Sequence, residues 1–379
     1  RRSSDLLNDK QKWLDLVAHY DVDMEISEDN VALKLHGREK LTQIGIQAAA
    51  RAVKLSIKKV HEIISFDDML YAPLVLNLRL PQFRYVLVDE AQDTNAVRRE
   101  MAARMVMPGG RMMWVGDDRQ GIYGFTGADN NALETIKTTF SCTQFPMTVT
   151  RRCAKLVAAL ARKLVPDFQA HEDNAEGEVL LMDEKAFLAQ TFIPGDDAVI
   201  CRYTAPLVKT AYKLIAAGVP AHVEGKDIGK GLLSILDKCK AGRNAAAIIE
   251  SLDAYYLKQA NKLFAKGKDE AAASLADAVE TIKCIMQTMP AGAGIDVLKR
   301  DISALFSDTP DGQRPATVTF MTAHRSKGLE FRRVFGWDVA STFPARFARQ
   351  PWQLQQEANL QYVLYTRAID TYVDVMPAQ

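Results

Sequence analysis

The sequence predicts an α/β fold built on parallel sheets. Three observations carry this. Tyr85-Val86-Leu87-Val88 and Met112-Met113-Trp114-Val115 are unbroken apolar runs, the pattern of strands buried on both faces rather than the alternation of a half-wet sheet. Both run into acids: Asp89-Glu90 after the first and, beyond Gly116, Asp117-Asp118 after the second. Between them Thr94 to Val106 has helical spacing. The segment therefore reads as strand, helix, strand, the crossover unit from which parallel sheets are made.

Composition bounds what surrounds that unit. The chain has 379 residues, 48% hydrophobic and 25% charged. The length suggests about two to three domains, and the composition excludes a disordered or fibrous chain. Lys and Arg number 48 against 47 Asp and Glu, a net charge of +1. That balance excludes a polybasic binder, so any nucleic-acid contact has to come from a local groove. Cys142, Cys153, Cys201, Cys239 and Cys284 are scattered with no CxxC pair, which fits a reducing compartment and no zinc site. No uncharged apolar run approaches the roughly 18 residues of a membrane span. Arg1 to Lys10 is polar, unlike a signal peptide.

Ser4 to Lys40 mixes short apolar runs with charge and reads as surface helices and loops. From Leu41 to Met69 the apolar positions Ile44, Ala48, Ala52, Leu55, Val60 and Ile63 fall near helical spacing. Pro73 and Pro81 punctuate the connection to the first strand, and Pro108-Gly109-Gly110 reads as the turn before the second. A second α/β block follows. Its strands are expected at Val179–Met182, Ala198–Arg202, Thr317–Met321, Arg333–Trp337 and Thr371–Val375, and its helices at Arg152–Leu164, Leu207–Ala217 and Leu354–Ile369. Gly231 to Asp308 is rich in Ala, Leu, Lys and Glu with few β-branched runs. It reads as an all-helical domain inserted into this block.

Acids at the carboxyl end of a parallel strand lie where open sheets bind ligands. One of an adjacent pair can hold Mg²⁺ while the other orients an attacking water. A bare Asp-Glu is more often a solvated turn. The full run Val88-Asp89-Glu90-Ala91-Gln92-Asp93-Thr94-Asn95 is more specific and carries a helix start at Thr94. The second strand opens into Gly116-Asp117-Asp118-Arg119-Gln120-Gly121-Ile122-Tyr123-Gly124-Phe125. Its glycines permit sharp turns, Gln120 can sense a terminal phosphate, and Tyr123 and Phe125 sit where bases can stack. Either aromatic alone would more often be core.

At these residues the sequence resembles superfamily 1 DNA helicases of the UvrD/Rep type. VDEAQDTN (Val88 to Asn95) is similar to helicase motif II, and VGDDRQGIYGFTGA (Val115 to Ala128) to motif III. MTVTRRC (Met147 to Cys153) resembles motif IV, VTFMTAHRSKGLEF (Val318 to Phe331) motif V, and EANLQYVLYTRA (Glu357 to Ala368) motif VI. Phe66-Asp67-Asp68 precedes motif II as in that family. Five ordered motifs make chance resemblance negligible.

The resemblance implies tandem RecA-like domains of the P-loop NTPase class that sandwich ATP. The first would be incomplete and occupy 1–140 with motifs II and III. The second would occupy 141–230 and 311–379, interrupted by a helical accessory domain over 231–310. It implies that Asp89 holds Mg²⁺, Glu90 polarises the attacking water and Gln120 contacts the γ-phosphate. Arg152 and Arg367 would act as arginine fingers, where a planar, permanently charged, bidentate group is needed. Gly328 would let backbone approach phosphate, with Glu330 near the ribose or γ-phosphate. Thr322 and His324 would contact the DNA backbone, and Tyr123 and Phe125 would stack on bases. The implied function is ATP-driven movement on single-stranded DNA and unwinding at duplex junctions, with 3′→5′ polarity. The implied place is the cytoplasm of a bacterial or phage-infected cell, or another intracellular setting, with no membrane partner.

Two departures qualify this. Thr126 stands where the family usually has arginine. No GxxxxGKS/T loop occurs in the chain; Gly225-Lys226, Gly229-Lys230 and Gly267-Lys268 all lack the flanking pattern. With Arg1 as first residue, the expectation is a piece of a longer helicase whose Walker A segment lies upstream, inactive by itself. The alternatives are the motor of a helicase–nuclease machine, disfavoured because no nuclease cluster follows motif VI, and a non-hydrolysing DNA-binding relative.

Overall fold

The computed structural model describes residues 31–122, 132–239, 244–265, 268–290, 292–307 and 317–378, with side chains in the first helix from Gln43 onward. The chain divides after Gln144 into two units.

The first unit opens with helices α1 (Val31–Lys59) and α2 (Phe66–Val75). The stretch expected as one helical run is thus interrupted. α2 starts at a capping box in which Ser65 Oγ accepts the Asp68 N–H and the Asp68 carboxylate accepts the Ser65 N–H at 3.0 Å, satisfying donors a helix start leaves open. Pro73 lies inside α2 rather than in the connection. Strands β1 (Phe83–Val88) and β2 (Val106–Trp114) pair in parallel, and helix α3 (Ala96–Met105) crosses between them. Helix α3 is capped by Asn95, whose Oδ1 accepts the Arg98 N–H at 3.0 Å. Thr94 instead closes the 3-10 turn Ala91–Asp93 by donating its hydroxyl to the Ala91 carbonyl at 2.7 Å. β2 begins directly at Val106 and contains Pro108-Gly109-Gly110 as a bulge, since Phe83 pairs with Val106 while Tyr85 pairs with Arg111. Gly109, at φ +77°, supplies the left-handed turn the bulge requires. Helix α4 (Ala132–Thr139) follows, and beyond it Phe140 stacks on Trp114 with centroids 5.3 Å apart.

The second unit begins with a small parallel pair, β3 (Val149–Thr150) and β4 (Gln169–Ala170), around helix α5 (Lys155–Ala161). Its main sheet has seven strands in the order β5-β11-β10-β6-β9-β7-β8, every described pair parallel. These are β5 (Glu178–Asp183), β6 (Asp197–Cys201), β7 (Ala221–Glu224), β8 (Phe306–Ser307), β9 (Val318–Thr322), β10 (Phe331–Trp337) and β11 (Ala368–Met376). All five residues of β6, in mid-sheet, are buried, as expected of a strand covered on both faces. Helices α6 (Glu184–Leu188) and α7 (Thr204–Ala216) follow β5 and β6, and α12 (Val339–Thr342) and α13 (Pro351–Tyr365) lie between β10 and β11. Two helix boundaries differ from expectation. Residues 151–153 bend ahead of α5, and the chain after α13 turns at Thr366-Arg367 so that Ile369 is already strand.

The expected helical insertion comprises α8 (Lys226–Lys238), α9 (Ala245–Ala265), α10 (Asp269–Gln287) and α11 (Ile295–Leu305). These helices share one core with the sheet. Val199, Phe320, Phe335 and Val373 from strands pack in the same cluster as Leu232, Leu252, Ile282 and Leu298 from α8 to α11. Each fully buried side chain of this size contributes about 1.5–3 kcal/mol. α10 also caps α7: Asp277 accepts the N–H groups of Thr204 at 2.8 Å and Ala205 at 2.9 Å, where the N-cap residue, Tyr203, makes no side-chain cap bond. Burial raises the Asp277 pKa against these bonds. A shared core predicts shared cooperativity. Leu298→Ala should cost about 2–5 kcal/mol, and amide exchange should show β6 and α11 opening together, both less protected by that amount.

Candidate functional site

In the first unit the ladder brings two strand ends side by side. Val115 N–H donates to the Val88 carbonyl at 2.8 Å and Ala91 N–H to the Val115 carbonyl at 2.9 Å. Asp89 and Glu90 emerge exposed at this edge. Glu90 is held left-handed at φ 50°, ψ 43°, a conformation costing a non-glycine residue about 1–3 kcal/mol. Asp89 Oδ1 accepts the Glu90 N–H at 2.8 Å. Gln92, buried beneath them, donates its amide N–H to Glu90 Oε2, while its Oε1 accepts the Asp117 N–H at 3.0 Å. Asp117 in turn accepts from Gln120 Nε2 and the Arg119 N–H, both at 2.9 Å. Burial, with Asp117 alongside, raises the Asp118 carboxyl. The structure thus joins Glu90 and Gln120 through Gln92 and Asp117. Gln92 stands in the quoted run, but nothing in the sequence signals that its amide turns inward. Tyr123, Phe125 and Thr126 lie outside the described residues.

This edge suits a hard cation that shares a phosphate. Among the described residues no cluster of three or more His, Cys, Asp or Glu side chains could hold a metal alone. Mg²⁺ characteristically takes one or two carboxylates and completes its shell with water and phosphate oxygens, which matches an exposed Asp89 beside Glu90.

In the second unit β6 and β9 end together, Cys201 paired with Thr322 and the Ala323 N–H donating to the Cys201 carbonyl at 2.8 Å. The chain then turns over residues 323–328, with the Thr322 carbonyl accepting the Arg325 and Ser326 N–H groups. Gly328 closes the turn at φ +83°, with open space where a side chain would stand. Glu330 pairs with Arg152 Nε at 2.6 Å, both well exposed, so the pair contributes little stability. Arg367 is only 1% exposed. It donates to the carbonyls of Val363 and Leu329, each at 2.9 Å, and to Thr366 Oγ1 at 3.1 Å. Burial, and next the nearby Arg152 charge, lower its pKa to about 10, so it stays charged at neutral pH. Arg152, Glu330 and Arg367 are therefore gathered around Leu329.

His324 lies half-buried on the same turn. Burial, reinforced by the Arg202 charge, pushes its imidazole down to about 3. Arg202 itself makes a bidentate pair with Glu357, Nε to Oε2 at 3.0 Å and Nη2 to Oε1 at 2.8 Å, and Glu357 also accepts the Ala345 N–H at 3.0 Å. Sequence reasoning missed Arg202, since a pair 155 residues apart leaves no local spacing signal.

Comparison with known proteins agrees with the resemblance. Residues 21–141 match the model of the UvrD/REP helicase N-terminal domain. A putative ATP-dependent DNA helicase YjcD of Bacillus subtilis is 26% identical over 82% of this chain and 55% of its own length. A probable DNA helicase II homolog of Mycoplasma genitalium is 31% identical over 33% of this chain and 17% of its own. ATP-dependent DNA helicase Rep of Escherichia coli is 37% identical over 18% of this chain and 12% of its own. The chain thus spans at most about half the length of these relatives.

The low His324 pKa has a definite sign. Between the ordinary imidazole value of 6.5 and about 3, the unfolded chain binds a proton that the folded one does not, so stability falls as pH drops through that window. His324→Gln keeps a neutral side chain and removes the titration. Urea unfolding at pH 7 and pH 5 should show a smaller acid loss for the variant than for the parent.

Proposed function

Starting from a chain that is UvrD/Rep-like and of the superfamily 1 helicase type, we propose that it serves ATP-driven translocation along single-stranded DNA and strand separation at duplex junctions, with 3′→5′ polarity. The observation that best supports this is the edge of the first sheet, where exposed Asp89 and Glu90 adjoin a hydrogen-bonded path to Gln120. Phosphoryl transfer needs positioned charge and a positioned water more than covalent chemistry, and this edge brings two exposed carboxylates to the strand end, where they could serve both needs. The 379 residues hold no GxxxxGKS/T loop, and the hydrolytic roles are proposed for residues of this chain acting where such a loop is present.

Asp89 would hold Mg²⁺, which when bound would neutralise charge on the phosphates. Glu90 would orient the attacking water and accept its proton. Gln120 would present its amide to the terminal phosphate. Arg152 would offer its exposed guanidinium to phosphate, exchanging Glu330 for it. Arg367, with its donors engaged by Val363, Thr366 and Leu329, would fix the backbone that carries Gly328 and Glu330 and add positive charge behind it. Thr322 and His324 would meet the DNA backbone, the neutral imidazole by hydrogen bonding alone. Tyr123 and Phe125 would stack on bases. The proposed setting is intracellular; among the described residues no helix is long and apolar enough to cross a membrane.

Glu90→Gln should abolish DNA-stimulated ATP hydrolysis in the active protein while ATP and DNA binding persist, because Asp89 is untouched. A malachite-green phosphate assay beside nucleotide and DNA titrations checks this. Tyr123→Ala and Phe125→Ala should each weaken single-stranded DNA binding by about 1–3 kcal/mol per stacked base lost, read at one fixed salt concentration, with DNA-independent hydrolysis little changed.

A further inference from the structure

Among the described residues, Gln92 is a buried polar side chain that touches both halves of the first unit's strand-end edge. It is 5% exposed, sits inside the 3-10 turn Ala91–Asp93, and its amide is used on both sides: N–H to Glu90 Oε2, carbonyl from the Asp117 N–H at 3.0 Å. Since Asp117 holds Gln120 Nε2 at 2.9 Å, one unbroken hydrogen-bonded path runs from Glu90 to Gln120. Gly116 fits the same arrangement. Its φ is not in the left-handed range, so conformation does not demand glycine there. A Cβ at position 116, however, would lie 2.6 Å from Gln92 Oε1, its nearest neighbour, with Leu133 Cδ2 at 3.1 Å and the Ala91 backbone nitrogen at 3.2 Å. Glycine leaves room for the amide against the strand end.

The chemistry of an amide suits this place. An exposed carboxylate on a free rotor spends little time in any one orientation. A neutral donor on one oxygen restricts its orientation without placing a cation's full charge on a group that must accept a proton. The same amide is bonded to the Asp117 N–H, and the Asp117 carboxylate is bonded to Gln120. We propose that Gln92 is a positioning residue that aims the Glu90 carboxylate and relays to it the state of the Gln120 segment, so that DNA stimulation of hydrolysis passes through this amide. This rests on the hydrolytic reading of the edge given above.

The test uses the preparation in which wild type shows DNA-stimulated hydrolysis and Glu90→Gln abolishes it. If either condition fails, the hydrolytic reading fails and not Gln92. Given both, Gln92→Leu and the near-isosteric Gln92→Glu should each lower the DNA-stimulated kcat by about 10- to 100-fold, part of what a positioned base contributes. KM for ATP should stay within about twofold, and the ratio of DNA-stimulated to basal rate should collapse, which a merely structural role would not single out. Gly116→Ala, which crowds the amide without altering it, should reproduce the effect, and Gly116→Ala with Gln92→Leu should be no worse than Gln92→Leu alone, as for two changes acting through one contact. Thermal melts of all variants accompany the kinetics, and Gln92→Glu, closest in shape, stands in if Gln92→Leu does not fold. Equal proportional losses of basal and stimulated rates, or additive losses in the double variant, would overturn the proposal.

Discussion

Everything the two units present at their working edges depends on parallel strand pairing. A parallel ladder puts all carboxyl ends on one side, and there the backbone must leave the sheet. In the first unit the ladder runs past the strands proper, through Val115 to Val88 and Ala91 to Val115, so the turns after β1 and β2 are fixed against each other before any side chain contributes. In the second, Cys201 pairs with Thr322 and the Ala323 N–H extends the ladder one step further. Slipping the first register by one residue would exchange the faces of every side chain on the strand and separate Gln92 from the Asp117 N–H it accepts. The chemistry is local, but its precision comes from backbone bonds that bind no ligand.

Around these edges the second unit buries charge, and three of the buried charges are matched. Arg202 finds Glu357, Arg367 finds three oxygen acceptors, and Asp277 finds two N–H donors at a helix start. Replacing such a pair by apolar groups can be neutral, but removing one partner leaves an uncompensated charge at a cost of about 3–5 kcal/mol. These residues therefore act as constraints. Glu357 ties helix α13 to the end of β6 and, through the Ala345 N–H, to the loop before α13. Asp277 ties α10 to α7. Arg367 joins the end of α13 to Leu329. The turn carrying Thr322, His324 and Gly328 is thereby held from several sides, and burial first, with the Arg202 charge second, favours its neutral imidazole.

The strands were the most legible part of the sequence, because an apolar, β-branched run of the right length has few other uses. The expected Val179–Met182, Ala198–Arg202 and Arg333–Trp337 fall on β5, β6 and β10 within two residues at each end. Punctuation misled where tertiary pairing overrode it. Pro108-Gly109-Gly110 has every mark of a turn, yet pairing on either side absorbs it as a bulge. Pro73 sits inside α2 although its missing N–H removes one intrahelical bond. Thr94 and Asn95 are both good caps, and only geometry shows that Thr94 closes one turn while Asn95 starts the helix. At the site, the acids and Gln120 were legible because their spacing follows strand ends. Gln92, Arg202 and Glu357's role were not, because their partners come from other strands and helices.

One local arrangement recurs, and it bears on why the strand-end acids stand where they do. Glu90 after β1 and Asp338 after β10 are both left-handed, at φ 50° and φ 52°. Each is the residue before a short helical turn, Ala91–Asp93 in one case and α12 in the other. Each has its carbonyl engaged at once, by the Asp93 N–H at 2.9 Å and by the Thr342 N–H at 3.1 Å. A strand that must stop at the edge and turn into a helix within one residue needs such a conformation, and glycine would supply it without strain. An acid there keeps a carboxylate at the strand end at a conformational cost of about 1–3 kcal/mol, which the ladder bonds on either side hold in place. Where the neighbouring Asp89 is also acidic, as after β1, the result is two carboxylates on consecutive residues facing a common exposed edge, and the buried Gln92 amide gives one of them a fixed direction.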